Sequence, residues 1–373
     1  MKTVQRYLHS QVWKDLKKKM VFVCGPRQVG KTTLAKSLIS SKKEGYLNWD
    51  IPEDREKILK RELPPVDFWV FDEIHKFKGW RNYLKGICDQ FEKKVKILVT
   101  GSAQLDYYRR GGDSLQGRYH FLRLHPLSTA ELKISTQKDF LELMNMGGFP
   151  EPFFSSSAIE SKRWSMEYRN RLIEEDIVNL ENISDIGTME LLLINLPRYV
   201  SSPLSINSLR EELQVAHKTV SKWLHVFERL YAIFRISPFG AKELRAVKKE
   251  QKHYHFDWTL VQEEGARFEN LTALHLLKWC HYLQDTEGRE IEVKYFRDID
   301  GREVDFVIIE NGRPVAFIEC KWSDAEISRH LVYLRKKFPV SSFYQISATG
   351  KKDYISGNNI RVCPGVTYLK ELV

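Results

Sequence analysis

The sequence predicts an α/β chain in several parts: a parallel sheet around a phosphate-binding loop, a helical lid, a helix-turn-helix unit and a second α/β core. Three observations carry this. Gly25 to Thr32 read Gly-Pro-Arg-Gln-Val-Gly-Lys-Thr between an apolar run, Met20 to Cys24, and a helix-forming stretch, Thr33 to Ile39. His217 to Leu230 is an amphipathic stretch that follows a short helix and precedes a strand. Asp305 and Glu319-x-Lys321 fall on successive apolar strands.

Composition bounds the rest. A length of 373 residues suggests two to three domains, and 42% apolar with 12% aromatic residues is enough for packed cores. The formal charge of +10 favours acidic partners, nucleic acid first, although a basic protein with scattered lysines has the same charge. The five cysteines form no C-x-x-C pair, so they read as reduced thiols of a cytoplasmic protein. No apolar run approaches the ~20 residues needed to span a membrane. Residues 1–19 carry charges throughout and lack a signal-peptide core.

The loop at Gly25 needs its residue types. Gly25 and Gly30 permit backbone angles and close approach that a Cβ blocks. The amides from Gly25 through Gln28, Val29 and Gly30 to Lys31, Thr32 and Thr33 then cradle phosphate at the positive end of a helix. Lys31 reaches the outer phosphates of ATP and the Thr32 hydroxyl ligates Mg²⁺. Gly45 to Asp50 reads as a short strand. Phe68 to Phe71 is a buried strand ending in Asp72 and Glu73. Asp72 is expected in the Mg²⁺ shell, and Glu73 is expected to polarise the attacking water. Val95 to Ser102 is a third strand, whose tip offers Ser102, or else Thr100, as a sensor of the terminal phosphate. Arg118, in a glycine-containing loop, is a candidate to neutralise charge during phosphoryl transfer, set against an ordinary surface arginine.

In this order and combination, several motifs resemble prokaryotic AAA-type ATPases whose C-terminal half carries an uncharacterised domain. They are the Gly25 loop, Phe71-Asp72-Glu73-Ile74-His75 with Trp80, Thr100-Gly101-Ser102, Leu115-x-Gly-Arg118 and His125-Pro126-Leu127-Ser128. Gly147-Gly148-Phe149-Pro150-Glu151 resembles that family's linker. The resemblance runs with gaps from about Arg6 to about Lys321, and Ala103 departs from a second serine common there. It implies ATP and Mg²⁺ as cofactors and a homo-oligomer in which Arg118 acts on a neighbour's nucleotide.

Ser161 to Leu180 is charged and periodic and reads as the helical lid. Met189 to Val200 is an apolar helix stopped at Ser201-Ser202-Pro203. Ser205 to Leu213, a turn, His217 to Leu230 and a strand, Tyr231 to Ile236, follow the winged-helix order. His217, Lys218, Ser221 and Lys222 form a polar face suited to phosphates and base edges. The same fold serves as a protein–protein spacer, and the family also has such an element here.

Lys252 to Asp257 fits a K-x-Y-x-F-D pattern of the family and is expected to begin a new unit. A helix from Gly265 to Trp279, strands at 291–296, 303–309 and 313–321, a helix at 325–338 and a strand at 343–347 follow. Asp305 and Glu319 can meet at one end of a hairpin as ligands of a hard divalent cation, with Glu269 completing the shell. Lys321, two residues from Glu319 on the same face, is placed to activate water. The arrangement looks like the restriction-nuclease PD-(D/E)xK superfamily, with a solvated hairpin of charged tips as the plain alternative.

The expected division is a P-loop domain at 1–133, lid and linker at 134–187, winged helix at 188–247 and restriction-nuclease-like domain at 248–373. The leading reading is an ATP-hydrolysing protein acting on nucleic acid, DNA more than RNA, with a metal-dependent nuclease site. The alternatives are an ATP-driven switch with an inactive nuclease-like scaffold, or a DNA-independent ATPase chaperone.

Overall fold

The computed structural model describes residues 4–39, 43–91, 94–101, 115, 117–177, 185–240, 251–339 and 341–373, without the side chains of 175–177. They divide into two units, Met1–Leu127 and Ser128–Val373.

The first unit runs α1 (His9–Leu16), β1 (Met20–Cys24), α2 (Lys31–Leu38), β2 (Tyr46–Asn48), α3 (Pro52–Lys60), β3 (Phe68–Asp72), α4 (Trp80–Phe91), β4 (Lys96–Thr100) and β5 (Tyr119–Arg123). Every residue of β1 and β3 is buried, as continuous apolar runs in a sheet covered on both faces should be. The five strands are parallel in the order β2-β3-β4-β1-β5. The chain thus places β4 between β1 and β3. Register then sets Val23, Thr100 and Asp72 side by side at the carboxyl ends. The loop leading to α2 and the acidic tip of β3 open on that same edge. The helix expected from Thr33 begins two residues earlier, at Lys31, because Gly30 takes the left-handed conformation and caps it (φ 99°).

The second unit starts with α5 (Gln137–Met146), α6 (Pro150–Ser155), α7 (Ala158–Arg171), a π-helical turn (Leu172–Ile177) and α8 (Ile186–Asn195). It continues with α9 (Ile206–Leu213), α10 (His217–Arg229), β6 (Ile233–Ile236), β7 (Pro238–Phe239), β8 (Lys252–His255) and α11 (Glu264–Glu287). Next come β9 (Ile291–Arg297), β10 (Glu303–Glu310), β11 (Arg313–Lys321), α12 (Arg329–Lys337), β12 (Ser342–Ser347), β13 (Tyr354–Ile355), β14 (Arg361–Pro364) and α13 (Gly365–Leu369). The larger sheet has the order β13-β14-β12-β11-β10-β9-β7, and β6 pairs antiparallel with β8 in a separate two-stranded sheet.

Several boundaries differ from expectation for local reasons. The division at Ser128 falls five residues before the expected end of the first domain at 133, and the Thr129 amide donates to His275 Nε2 at 3.1 Å. A boundary at 247/248 would separate β6 from its partner β8. The helix expected to stop at Trp279 continues to Glu287 because Leu283 extends the buried stripe, and Gly288 closes it in the left-handed region (φ 69°). The helix expected from residue 325 begins at Arg329. Before it, the Gln345 amide donates to the carbonyls of Ala325 and Glu326, and its oxygen accepts from the Ser328 amide at 2.8 Å. Among the described residues no helix is long and apolar enough to cross a membrane, and no disulfide links the five cysteines.

Candidate nucleotide site and carboxylate cluster

The loop between β1 and α2 is built for close approach. A Cβ on Gly25 would come within 2.1 Å of the Leu124 carbonyl oxygen. Gln28 takes φ 58° and Gly30 φ 99°, so successive amides turn toward the inside of the loop. Val29 is fully buried, and its carbonyl accepts from Arg6 Nη1 at 2.5 Å. Arg6 also donates to the His125 carbonyl, which ties the loop to the segment after β5. The Gln28 side-chain oxygen is buried with no hydrogen-bond partner among the described residues. Lys31 is 7% exposed and its Nζ donates to the carbonyls of Gly25 (3.0 Å) and Pro26 (2.6 Å). A buried ammonium and a glycine cradle suit a polyphosphate. Thr33 lies in the first turn of α2.

Asp72 is 2% exposed and is met by hydroxyls. Thr32 Oγ1 donates to its Oδ2 at 2.7 Å, Tyr46 to the same oxygen at 2.6 Å, and Thr100 Oγ1 to Oδ1 at 2.6 Å. Three neutral donors satisfy the carboxylate without cancelling its charge, so it can still attract a cation. Thr32 and Asp72 are the pair that would hold Mg²⁺. Burial and the adjacent Asp72 push the Tyr46 hydroxyl far above its ordinary range, so it stays a donor. Glu73 sits in the left-handed region (φ 57°) and caps a short helical turn, with its amide on the Thr100 carbonyl at 3.0 Å. Burial raises its pKa, against the pull of Lys31 and Lys76. Burial, with Lys76 and Lys31 nearby, lowers His75 to about 4, so a neutral imidazole lies 3.6 Å from Glu73 Oε2. Ser102 lies outside the described residues. Thr100, its alternative, is fully buried and bonds Asp72. Arg118 pairs with Asp89 in its own unit, Nε to Oδ1 at 3.0 Å.

In the second unit, Glu269 on α11, Asp305 on β10 and Glu319 and Lys321 on β11 do come together, but a further residue stands among them. Lys252 of β8 is fully buried. Its Nζ lies 2.7 Å from Glu303 Oε1, 3.3 Å from Glu269 Oε1 and 3.7 Å from Asp305 Oδ1. Burial alone would lower the Lys252 pKa, but Glu269, Asp305 and Glu303 override it and hold it raised. Asp305 Oδ2 accepts from the Cys320 amide at 2.8 Å, Tyr254 donates to Glu269 at 2.7 Å, and Lys321 Nζ donates to Glu319 at 2.7 Å. Burial, then Asp305, pushes both Glu269 and Glu319 up to about 7. The expected shell of Glu269, Asp305 and Glu319 is therefore arranged around ammonium groups. Among the described residues, no set of three or more His, Cys, Asp or Glu is placed to hold a metal ion.

Comparison with known proteins fits the first of these geometries. Residues 17–133 match the family model described as AAA domain. The chain carries an AAA-type P-loop ATPase domain. After the AAA domain, residues 137–264 and 264–368 match two models, each described as a domain of unknown function (DUF8612 and DUF4143). Uncharacterized proteins of Mycobacterium tuberculosis and Mycobacterium bovis are each 24% identical over 318 residues, spanning 79% of this chain and 71% of theirs. Among solved structures, the Aeropyrum pernix ORC1 protein in complex with DNA is similar at 13% identity and a TM-score of 0.35, covering 72% of this chain and 93% of that one. A STAND protein with a tetratricopeptide repeat sensor from Pyrococcus horikoshii is similar at 15% identity and a TM-score of 0.24, covering 77% and 48%.

Sequence reasoning missed Tyr46, Glu303 and Lys252 as site residues. One signal was present for Lys252: it alternates with Tyr254 on a short strand, so both side chains share a face. Both reach Glu269.

Proposed function

We propose that this chain is an ATP-hydrolysing switch that acts on nucleic acid, DNA more than RNA, with a restriction-nuclease-like core kept as a scaffold. The observation that carries the reading is the Thr32–Asp72 pair at 2.7 Å beside the buried Lys31 ammonium. Lys31 and the amides of Gln28 to Thr33 hold the phosphates, and Thr32 and Asp72 hold Mg²⁺. When bound, Mg²⁺ offsets charge on the outer phosphates. Glu73, held at the tip of β3 by its amide bond to Thr100, orients water and takes its proton. Its raised pKa favours that role. Arg118, once released from Asp89, serves a neighbouring copy's nucleotide in a homo-oligomer.

The contact with nucleic acid falls to α10. Its first turns expose His217, Lys218 and Lys222, while Val220, Trp223, Leu224 and Phe227 bury the opposite face. The order α9, α10 and then the β6–β8 pair supports reading α10 as the recognition helix of a winged helix. The test is twofold. Glu73→Gln is expected to retain ATP and stop hydrolysis; normal turnover would remove Glu73 from its role. Lys218→Ala/Lys222→Ala is expected to weaken binding to all duplex sequences and flatten the salt dependence by about two units of slope. An unchanged slope would sink the α10 contact.

A second reading, a metal-dependent nuclease using Asp305, Glu319 and Lys321, is favoured by one observation. Glu319 Oε2 is buried without a hydrogen-bond partner among the described residues.

A further inference from the structure

Four carboxylates meet at one end of the second unit's large sheet: Glu269, Glu303, Asp305 and Glu319. A hard divalent cation in such a place takes about six oxygen ligands at roughly 2.0–2.6 Å. Each of these carboxylates already faces a cation, with Glu319 Oε2 left without a hydrogen-bond partner among the described residues. One ammonium, with three N–H groups, faces Glu303, Glu269 and Asp305 from 2.7, 3.3 and 3.7 Å. Lys321 holds Glu319, and Arg297 lies 3.8 Å from Glu303. Three cations already face these four acids, so little negative charge is left to attract a divalent ion.

Lys252 also has nowhere to go. Its backbone is in register with Ile236 in the two-stranded sheet, its side chain is fully buried, and Nζ lies 5.5 Å from the Tyr295 ring. Moving it aside would leave an uncompensated charge in the core, which is costly.

We propose that Lys252 is a resident cation in the place a divalent metal would occupy, so that the nuclease-like core is held together by its own lysine and takes up no metal. The inference rests on the scaffold reading of this core and is independent of the ATPase reading. It also gives the carboxylates a role in a scaffold: they are the counter-charges of a buried lysine.

The experiment uses the full chain without nucleotide and Mn²⁺ as the probe, read by electron paramagnetic resonance and by Tm. The wild type is expected to show no Mn²⁺ site, and no change of Tm with Mn²⁺, that Asp305→Asn removes. Lys252→Met is expected to lower Tm on the order of 10 °C, with Mn²⁺ recovering part of the loss. Should that variant fail to fold, Lys252→Met/Glu303→Gln, which removes an ammonium and a carboxylate together, is expected to refold. Saturable Mn²⁺ binding by the wild type that is lost in Asp305→Asn overturns the proposal. So does Lys252→Met at the wild-type Tm without Mn²⁺, or a double variant that remains unfolded. Mn²⁺-dependent cleavage of plasmid DNA that needs Asp305 overturns the scaffold reading as well. Mn²⁺ binding without cleavage overturns only the role of Lys252.

Discussion

Asp72 and the cluster around Asp305 are both buried carboxylate sites at strand ends, and they are covered by opposite kinds of donor. Asp72 is met by three hydroxyls, from Thr32, Tyr46 and Thr100. Glu269, Glu303 and Asp305 are met by an ammonium, and Glu319 by another. Hydroxyls satisfy a carboxylate's lone pairs and leave its charge in place. Ammonium groups satisfy and cancel it. The difference teaches that acids on a strand tip do not themselves announce a metal site; the donors that cover them decide whether any charge is left to attract one.

The largest expected effect breaks the comparison on the nucleotide side. Lys31→Ala should lower ATP hydrolysis by on the order of 100- to 1,000-fold, the usual consequence of removing one electrostatic contact to a reacting group. A steady-state phosphate-release assay reads it, and a loss below tenfold would mean that Lys31 does not face the phosphates.

Next comes the way the second unit keeps its buried groups neutral. His275 Nε2 accepts from the Thr129 amide at 3.1 Å, which leaves Nδ1–H to donate to the Leu271 carbonyl at 2.8 Å. The ring has no room for a second proton, and burial lowers its pKa to about 4. The unfolded chain, with an ordinary histidine pKa near 6.5, takes the proton first as pH falls. Stability from this group is therefore full above about pH 6.5 and is lost toward pH 4. The stability advantage of wild type over His275→Gln should shrink by on the order of 2 kcal/mol between pH 7 and pH 5. Urea unfolding at the two pH values measures it, and a constant difference would show that His275 titrates normally.

The smallest effect sharpens the hydroxyl side. Tyr46→Phe removes one of the donors to Asp72 and leaves the Thr32 and Thr100 bonds, so kcat/KM for ATP should fall by only about three- to tenfold. A fall as large as that of Lys31→Ala would mean that Tyr46 touches the nucleotide.

How much of this was legible follows from distance along the chain. The loop from Gly25 to Thr32 could be read because its glycines, lysine and threonine are contiguous, and the peptide itself dictates the geometry. Asp72 was legible as the polar end of a buried strand. The α9–turn–α10–β6 order was legible from periodicity, with ends off by one or two residues. The hydroxyl of Tyr46 was not, since only the parallel register of β2 with β3 brings it to Asp72. Lys252 was hidden for the same reason. It stands 17 residues before Glu269, and only the pairing of β8 with β6 and the packing of α11 bring the two together. Motif spacing records which residues recur, whereas charge balance depends on neighbours supplied by other elements.

The placement of β8 has a consequence for how this chain can be divided. Its backbone completes the pair with β6, which follows α10, while its lysine neutralises acids of the large-sheet core and its tyrosine donates to one of them. One four-residue strand thus serves as structural partner to one module and as counter-ion to the next. The α9–α10 segment and the large-sheet core are not interchangeable cassettes: a recombination point between β6 and β8 would leave one without its strand and a cut after β8 would leave the other without its cation.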